Sequence, residues 1–215
     1  MEFLFGESRS VANERSVRAH IEAARTALER LDELPEDNDM AVNASPATIM
    51  DPRLMRLLLE FDPKRIVVEL TEHVEISNHA ELIGGLQDFR QAGVRIAVDD
   101  VGSGFASLSH VLELSPNVLK IDISITRGMD RDPARQAIAT GIAELAGSLG
   151  AHVVAEGVET EAELAAVANV GAAAVKGYLL ARPGPLPLAQ LRHELGAHGK
   201  EPVEQGRAVR RADLI

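Results

Sequence analysis

The sequence contains no cysteine and no tryptophan, and aromatic residues make up only 3% of its 215 residues. Without cysteine there can be no disulfide, no thiolate nucleophile and no cysteine-based zinc site. With so few aromatic side chains, the hydrophobic core has to be built from Val, Ile, Leu and Ala. The hydrophobic content of 46% and the charged content of 26% are nevertheless ordinary for a globular domain.

Long apolar runs and positive charge are also scarce. No apolar stretch approaches the roughly 20 residues of a membrane span, and the N-terminus lacks a signal-peptide pattern, so we expect a cytoplasmic protein with no membrane partner. The net charge of −11 argues against non-specific DNA binding, which requires a basic face. An acidic site can still hold a phosphodiester if bound divalent metal ions reverse its local charge.

Short apolar runs alternate with helix-like segments along the chain, which predicts an α/β fold with a parallel sheet and right-handed crossovers. One domain is expected over residues 1–188, followed by a C-terminal helix and a polar, disordered tail over residues 189–215. An interaction role for this tail is the alternative. The predicted strands lie near residues 40–43, 65–70, 94–99, 118–123, 151–156 and 173–180. The predicted helices lie near residues 14–34, 52–60, 80–92, 105–114, 133–149 and 161–170.

Acidic or amide residues stand where these apolar runs end. In a repeated βα fold the carboxyl ends of the strands converge on one face, where active sites are built. Carboxylates together with an amide are the oxygen ligands that hard cations such as Mg²⁺ or Mn²⁺ prefer. The residues in question are Asn43, Glu69, Asp99, Asp100, Asp122 and Glu156.

The adjacent pair Asp99 and Asp100 needs a special backbone to act together. On an ideal strand their side chains would point to opposite faces. Both can reach a metal only if the strand ends or bulges there. Gly102 and Gly104 favour such a break, because glycine adopts backbone conformations that other residues avoid. Lys120 and Asp122, by contrast, are two residues apart and are expected to share one strand face.

Taken together, five strand-end motifs resemble the EAL-domain family of cyclic di-GMP phosphodiesterases. They fall in the order of the family and span about residues 40 to 187. The motifs are Val42-Asn43-Ala44-Ser45-Pro46, Glu69-Leu70-Thr71-Glu72, Asp99-Asp100-Val101-Gly102-Ser103-Gly104, Lys120-Ile121-Asp122 and Ala155-Glu156-Gly157-Val158-Glu159-Thr160.

The resemblance implies a modified (β/α)₈ barrel of the TIM type that binds cyclic di-GMP across its C-terminal face. With two Mg²⁺ or Mn²⁺ ions such a domain hydrolyses one phosphodiester bond and yields linear pGpG. The metal ligands that it implies are Asn43, Glu69, Asp99 and Asp100. The catalytic residues that it implies are Lys120, near the attacking water, together with Asp122 and Glu156. The residues that would support the loop after Asp100, a loop that also supports dimerisation, are Gly102, Ser103, Gly104 and Glu159.

The Glu-Ala-Leu motif that names the family is absent from the sequence. In the family its Glu is a metal ligand, and a nearby Arg helps to hold the nucleotide. Since the likeness starts at the helix before the Asn43 strand, we expect an incomplete barrel with about six of the eight family strands. Phe3-Leu4-Phe5 either replaces one missing strand or forms a helical or frayed start. Open strand edges invite pairing, so the N-terminal segment, a homodimer partner, another protein or a helix should cover them.

Lys176 stands where the family usually has Gln, in Lys176-Gly177-Tyr178. Its ammonium either extends to solvent or lies beside the metal site. In the second case a unit charge about 4 Å away is worth about 4 kcal/mol at an effective dielectric near 20. We therefore expect weak or absent hydrolysis of cyclic di-GMP. A non-catalytic sensor of cyclic di-GMP and a protein-interaction module that binds no nucleotide are the alternatives.

Overall fold

The computed structural model of the chain describes residues 2–36, 38–70, 79–103, 108–182 and 184, with the backbone alone for residues 2–13 and 108. In these ranges six strands form one parallel sheet, in the order of the sequence. The strands are β1 (Met40–Ala44), β2 (Ile66–Leu70), β3 (Arg95–Val101), β4 (Val118–Ile121), β5 (His152–Ala155) and β6 (Ala174–Val175). The helices are α1 (Glu2–Leu28), α2 (Pro46–Ile49), α3 (Pro52–Leu58), α4 (His79–Ala92), α5 (Leu108–Leu114), α6 (Ile123–Thr126), α7 (Pro133–Leu149) and α8 (Glu161–Asn169).

Every neighbouring pair of strands is parallel, from β1–β2 to β5–β6. The first and last strands of the sheet, β1 and β6, are not paired with each other in the described ranges. The predicted α/β fold with six consecutive parallel strands is therefore confirmed. No helix in the described part of the chain is both long enough and apolar enough to cross a membrane.

The first helix and the last strand differ most from their predicted bounds. The first helix is α1, which ends at Leu28 and includes Phe3–Phe5. The helical start is thus correct, and a strand made from Phe3–Phe5 is wrong. The last strand, predicted over 173–180, is only two residues long, because the chain turns so that the backbone N–H of Leu180 donates to Gly177 O at 3.1 Å. The predictions for residues 104–107 and for the tail at 189–215 lie outside the described residues.

The core is aliphatic, as the composition predicts. Leu82, Leu86 and Phe89 of α4 are fully buried, and Ala139 and Ala146 form part of the inward face of α7. These helices pack on strands that carry Val, Ile and Leu, so burial of apolar surface fixes the sheet against its helices. The carboxyl ends of the strands are then the place where polar side chains gather.

Candidate active site

Strand register places the polar side chains of β1, β2 and β3 on one face of the sheet. Asn43 is in register with Glu69, and Glu69 with Ala97. Residues in register on parallel strands share a face, and so do residues two positions apart on one strand. Asp99 lies two positions after Ala97 and therefore shares the face of Glu69.

The same geometry continues across β4, β5 and β6. Lys120 is in register with Val154, and Val154 with Ala174. Glu156 and Lys176 each follow two positions later, directly after the ends of their strands. Side chains that are up to 133 residues apart in the sequence, from Asn43 to Lys176, are thus brought to one end of the sheet.

A β-bulge in β3 brings Asp99 and Asp100 to the site together. The register shifts between Val98 and Val101, so both acids stand opposite the single residue Lys120 of β4. Asp100 adopts a left-handed backbone conformation with φ of 54°, and its N–H donates to Asp99 Oδ1 at 2.9 Å. The break that two adjacent acids require is therefore present in the backbone.

Lys120 is the centre of the site. Its Nζ lies 2.8 Å from Glu69 Oε2, 3.0 Å from Asp99 Oδ1 and 2.9 Å from Glu156 Oε1. The residue is only 4% exposed. Burial by itself lowers the pKa of Lys120, but the charges and hydrogen bonds of Glu69 and Glu156 outweigh it, so the pKa is raised above its ordinary value. The ammonium is therefore a permanent counter-charge for three carboxylates at neutral pH.

The carboxylates offer a donor set for a hard cation. Asp99, Asp100 and Glu156 each provide an oxygen, and these atoms lie within 4.8 Å of one another. Such oxygen donors fit Mg²⁺ or Mn²⁺. Lys176 Nζ lies 3.6 Å from Glu156 Oε1, the oxygen that Lys120 also contacts. A second ammonium thus lies beside the candidate metal site.

Two predicted site residues are placed less centrally. Asn43 is exposed on β1, although it is in register with Glu69. Strand β4 ends at Ile121, two residues earlier than predicted, and Asp122 directly follows it. Asp122 is the N-cap of α6, and its Oδ1 accepts a hydrogen bond from Ser124 N at 2.9 Å.

The loop after Asp100 is held by its own backbone and side chains. Gly102 has φ of 99°, a conformation that favours glycine. Ser103 donates to Asp100 O from its backbone N at 3.2 Å and from its Oγ at 2.8 Å. Gly104 lies outside the described residues. Glu159, predicted to brace this loop, forms an ion pair with Arg127.

Sequence reasoning missed Glu163, which is 4% exposed. Its Oε1 accepts from Gly128 N at 2.9 Å, and its Oε2 accepts from the backbone N of Glu159 at 3.0 Å and of Thr160 at 3.1 Å. Thr160 and Glu163 form a capping box, a pattern that is visible in the sequence as Thr-x-x-Glu. Glu163 therefore ties the segment that follows Glu156 to the segment that follows α6.

We expect Glu163→Ala to lower the free energy of unfolding by about 1–3 kcal/mol, because three backbone N–H groups lose their acceptor. Burial opposes ionisation, but the N–H donors of Gly128, Glu159 and Thr160 outweigh it and lower the pKa of Glu163. A lowered pKa gives stability that is present above the ordinary glutamate pKa and is lost as the pH falls through the folded value.

Chemical denaturation at neutral pH and at about pH 3 would measure this effect, and the difference between Glu163→Ala and wild type should be smaller in acid. Glu144→Ala, at an exposed position of α7, is the matched control and should have little effect. A difference that stays constant between the two pH values would contradict the assigned role of the Glu163 carboxylate.

Known proteins resemble this chain in sequence. The family described as "EAL domain" matches residues 14–183. An uncharacterised signalling protein of Caulobacter vibrioides is 35% identical over 153 residues, which are 68% of this chain and 19% of that protein. The cyclic di-GMP phosphodiesterase RocR of Pseudomonas aeruginosa is 30% identical over 162 residues, which are 73% of this chain and 41% of RocR. The chain thus spans less than half the length of each of these relatives.

Solved structures resemble it in fold. The calcium and cyclic di-GMP complex of Klebsiella pneumoniae BlrP1 superposes with a TM-score of 0.71 at 30% identity, over 78% of this chain and 44% of that one. The cyclic di-GMP complex of the PaMucR phosphodiesterase superposes with a TM-score of 0.68 at 28% identity, over 86% of this chain and 83% of that one.

Proposed function

Because the chain belongs to the EAL domain family, we propose that it binds cyclic di-GMP at the strand-end carboxylates and hydrolyses it weakly or not at all. The observation that carries this proposal is the contact of two ammonium groups, from Lys120 and Lys176, with one oxygen of Glu156. Support for the ligand comes from relatives named as cyclic di-GMP phosphodiesterases and from similar structures solved with cyclic di-GMP and calcium or manganese.

Mg²⁺ or Mn²⁺, two ions by resemblance to the family, would be held by Asp99, Asp100 and Glu156, with Glu69 and Asn43 beside them. When bound, such ions lower the pKa of water and neutralise the charge of phosphate oxygens. Hydrolysis adds the water oxygen to phosphorus and breaks one phosphorus–oxygen ester bond, and the leaving ribose oxygen takes up a proton to give linear pGpG.

The described residues contribute to this reaction chiefly through Lys120. Its three short contacts hold the carboxylates of Glu69, Asp99 and Glu156 in place. These side chains therefore need to reorganise little when a ligand binds. Its positive charge also favours an anionic phosphodiester next to an otherwise acidic cluster. Asp122 remains a catalytic candidate by motif position, although one of its oxygens caps α6.

Weak hydrolysis is proposed because Lys176 competes with a divalent ion for Glu156. Repulsion between unit charges about 4 Å apart is about 4 kcal/mol at an effective dielectric near 20. The Lys176 side chain is 41% exposed, so solvent screening reduces this value considerably. The 215 residues also lack the Glu-Ala-Leu motif, whose Glu the resemblance names as a metal ligand.

We expect Lys176→Gln to raise the affinity of the chain for Mn²⁺ by about tenfold, because about 1.4 kcal/mol of the repulsion survives solvent screening. Formation of pGpG from cyclic di-GMP should increase in parallel. Calorimetric titration with Mn²⁺ and chromatography of the reaction mixture would measure the two effects. Lys64→Gln removes the same charge at an exposed position before β2 and should change neither.

Two results would overturn the proposal. Wild-type turnover comparable to that of an intact EAL phosphodiesterase would refute the weak hydrolysis. If neither the wild type nor Lys176→Gln bound cyclic di-GMP in calorimetry, with or without Mg²⁺, the ligand assignment would fail. Binding without product would support a sensor of cyclic di-GMP.

A second candidate function is protein binding at the edges of the sheet. It is favoured by the sheet order, in which β1 and β6 are the end strands of the described part of the chain. End strands that are not covered pair readily with a second chain, and a homodimer partner or another protein could bind there. Light scattering that shows a strict monomer would count against the homodimer.

A further inference from the structure

Three side chains of the kind that bind transition metals lie together between α4 and α5, outside the carboxylate cluster. His79 is the first residue of α4, and His110 and Glu113 lie on α5. His79 Nδ1 is 3.2 Å from Glu113 Oε2. The ring centres of His79 and His110 are 5.2 Å apart, with their planes inclined at 50°.

The distance between His79 Nδ1 and Glu113 Oε2 and the distance between the two ring centres are both compatible with a tetrahedral zinc site. With Zn–N and Zn–O bonds of about 2.0–2.2 Å, two tetrahedral ligand atoms lie about 3.3–3.5 Å apart. Two imidazoles bound to one tetrahedral ion have ring centres about 5.2 Å apart, by the same geometry. The 3.2 Å between His79 Nδ1 and Glu113 Oε2, which is also an ion-pair distance, and the 5.2 Å between the ring centres are close to these values.

We propose that His79, His110 and Glu113 form a surface site for Zn²⁺ or a similar imidazole-binding transition metal. Two imidazoles and one carboxylate suit Zn²⁺, whereas the oxygen donors of Asp99, Asp100 and Glu156 suit Mg²⁺ or Mn²⁺. The two clusters therefore differ in ligand type and would take different ions. This proposal is independent of the proposed action on cyclic di-GMP.

The zinc site is complete only after the side chain of His110 rotates. In the described ranges, only Asp99, Asp100 and Glu156 already bring three ligand atoms within 4.8 Å of one another. His110 therefore has to turn a ring nitrogen toward His79 Nδ1 and Glu113 Oε2. Side chains at or near the surface make such rotations within picoseconds to nanoseconds. Water would occupy the fourth position, as it does in open zinc sites.

Such an ion would link the two βα units that supply acids to the active site. Helix α4 follows β2, which carries Glu69, and α5 follows β3, which carries Asp99 and Asp100. The two helices pack against each other. An ion ligated from both helices binds only the folded arrangement, so it would raise the melting temperature as its concentration increases.

Calorimetric titration of the whole 215-residue chain with ZnCl₂, in excess Mg²⁺ to occupy the oxygen donors, would test the site. We expect one Zn²⁺ per chain in addition to any bound elsewhere, with affinity reduced about tenfold or more by His79→Ala and by His110→Ala. His152→Ala removes an exposed histidine of β5 and is the control, for which no change is expected.

Co²⁺ provides a second measurement, because a tetrahedral Co²⁺ site absorbs visible light far more strongly than an octahedral one. The wild type should show this absorption, and Glu113→Gln, which keeps the shape of the side chain, should weaken it. The proposal is overturned if the chain binds no Zn²⁺, or if the double variant of His79 and His110 retains full affinity while circular dichroism shows it folded.

Discussion

Lys120→Met should lower the free energy of unfolding by about 3–5 kcal/mol at neutral pH, the loss typical when one partner of a buried ion pair is removed. The ammonium of Lys120 contacts Glu69, Asp99 and Glu156, and Met would remove this shared counter-charge, leaving Glu156 the longer contact with Lys176. Met retains much of the length and the apolar stem of Lys, so the lost charge dominates the effect. Chemical denaturation followed by circular dichroism would measure it.

Millimolar Mn²⁺ should restore part of the stability of Lys120→Met, because a divalent ion that binds only the folded state supplies the missing charge. Lys64→Met, at an exposed position, is the control and should stay close to wild type. Since the pKa of Lys120 is raised, its contribution is fully present below the ordinary lysine pKa and is lost only as the pH rises through the raised value. A loss below about 1 kcal/mol in Lys120→Met would show that the three acids do not need the ammonium.

Gly177→Ala should destabilise the chain by about 3 kcal/mol, the upper part of the range for overpacking. A Cβ at this position would lie 2.1 Å from Val158 O and 2.4 Å from Val158 N. These are backbone atoms, so no side-chain rotation can relieve the contact. The strain would instead move the segment that carries Lys176, and with it the ammonium beside Glu156.

Gly141→Ala is the matched control for Gly177→Ala. Gly141 lies within α7, and an added Cβ there would meet nothing within 4 Å. Alanine is favoured over glycine in a helix interior by about 1 kcal/mol, so this variant should be more stable than wild type. Thermal unfolding of both variants would compare them, and equal melting temperatures would refute the close approach of the two backbones.

Helix and strand positions were predictable where the sequence marks both ends of an element. Asp132-Pro133 and Gly150 delimit α7, and the structure has an Asp cap, a first-turn proline and a left-handed glycine at these positions. Strand β6 was predicted too long, because most of the run 173–180 is apolar or aromatic, although Lys176 and Gly177 interrupt it. After Val175 the backbone bonds instead to Val158, whose N–H donates to Lys176 O and whose O accepts from Leu179 N, and no local pattern encodes these contacts.

The sequence predicted which strand ends carry the site residues, but it did not predict how their side chains contact one another. Two adjacent acids implied a break in β3, and the bulge is there. That one lysine would contact three acids depends on the register of β4 against its neighbours, which the sequence does not specify. Asp122 was placed on a strand because its spacing from Lys120 allows it, whereas capping of α6 ends the strand first.

The origin of the Lys120 contacts has a consequence for how the polypeptide assembles. Glu69 and Asp99 come from β2 and β3, which precede β4 during synthesis, so a nascent chain that has paired only β2 with β3 holds two acids side by side. Docking of β4 delivers the neutralising ammonium, and β5 then adds the third acid. If the strands pair in the order of the chain, the two acids of β2 and β3 would repel each other until β4 docks, and we expect β4 to stabilise the pairing that precedes it.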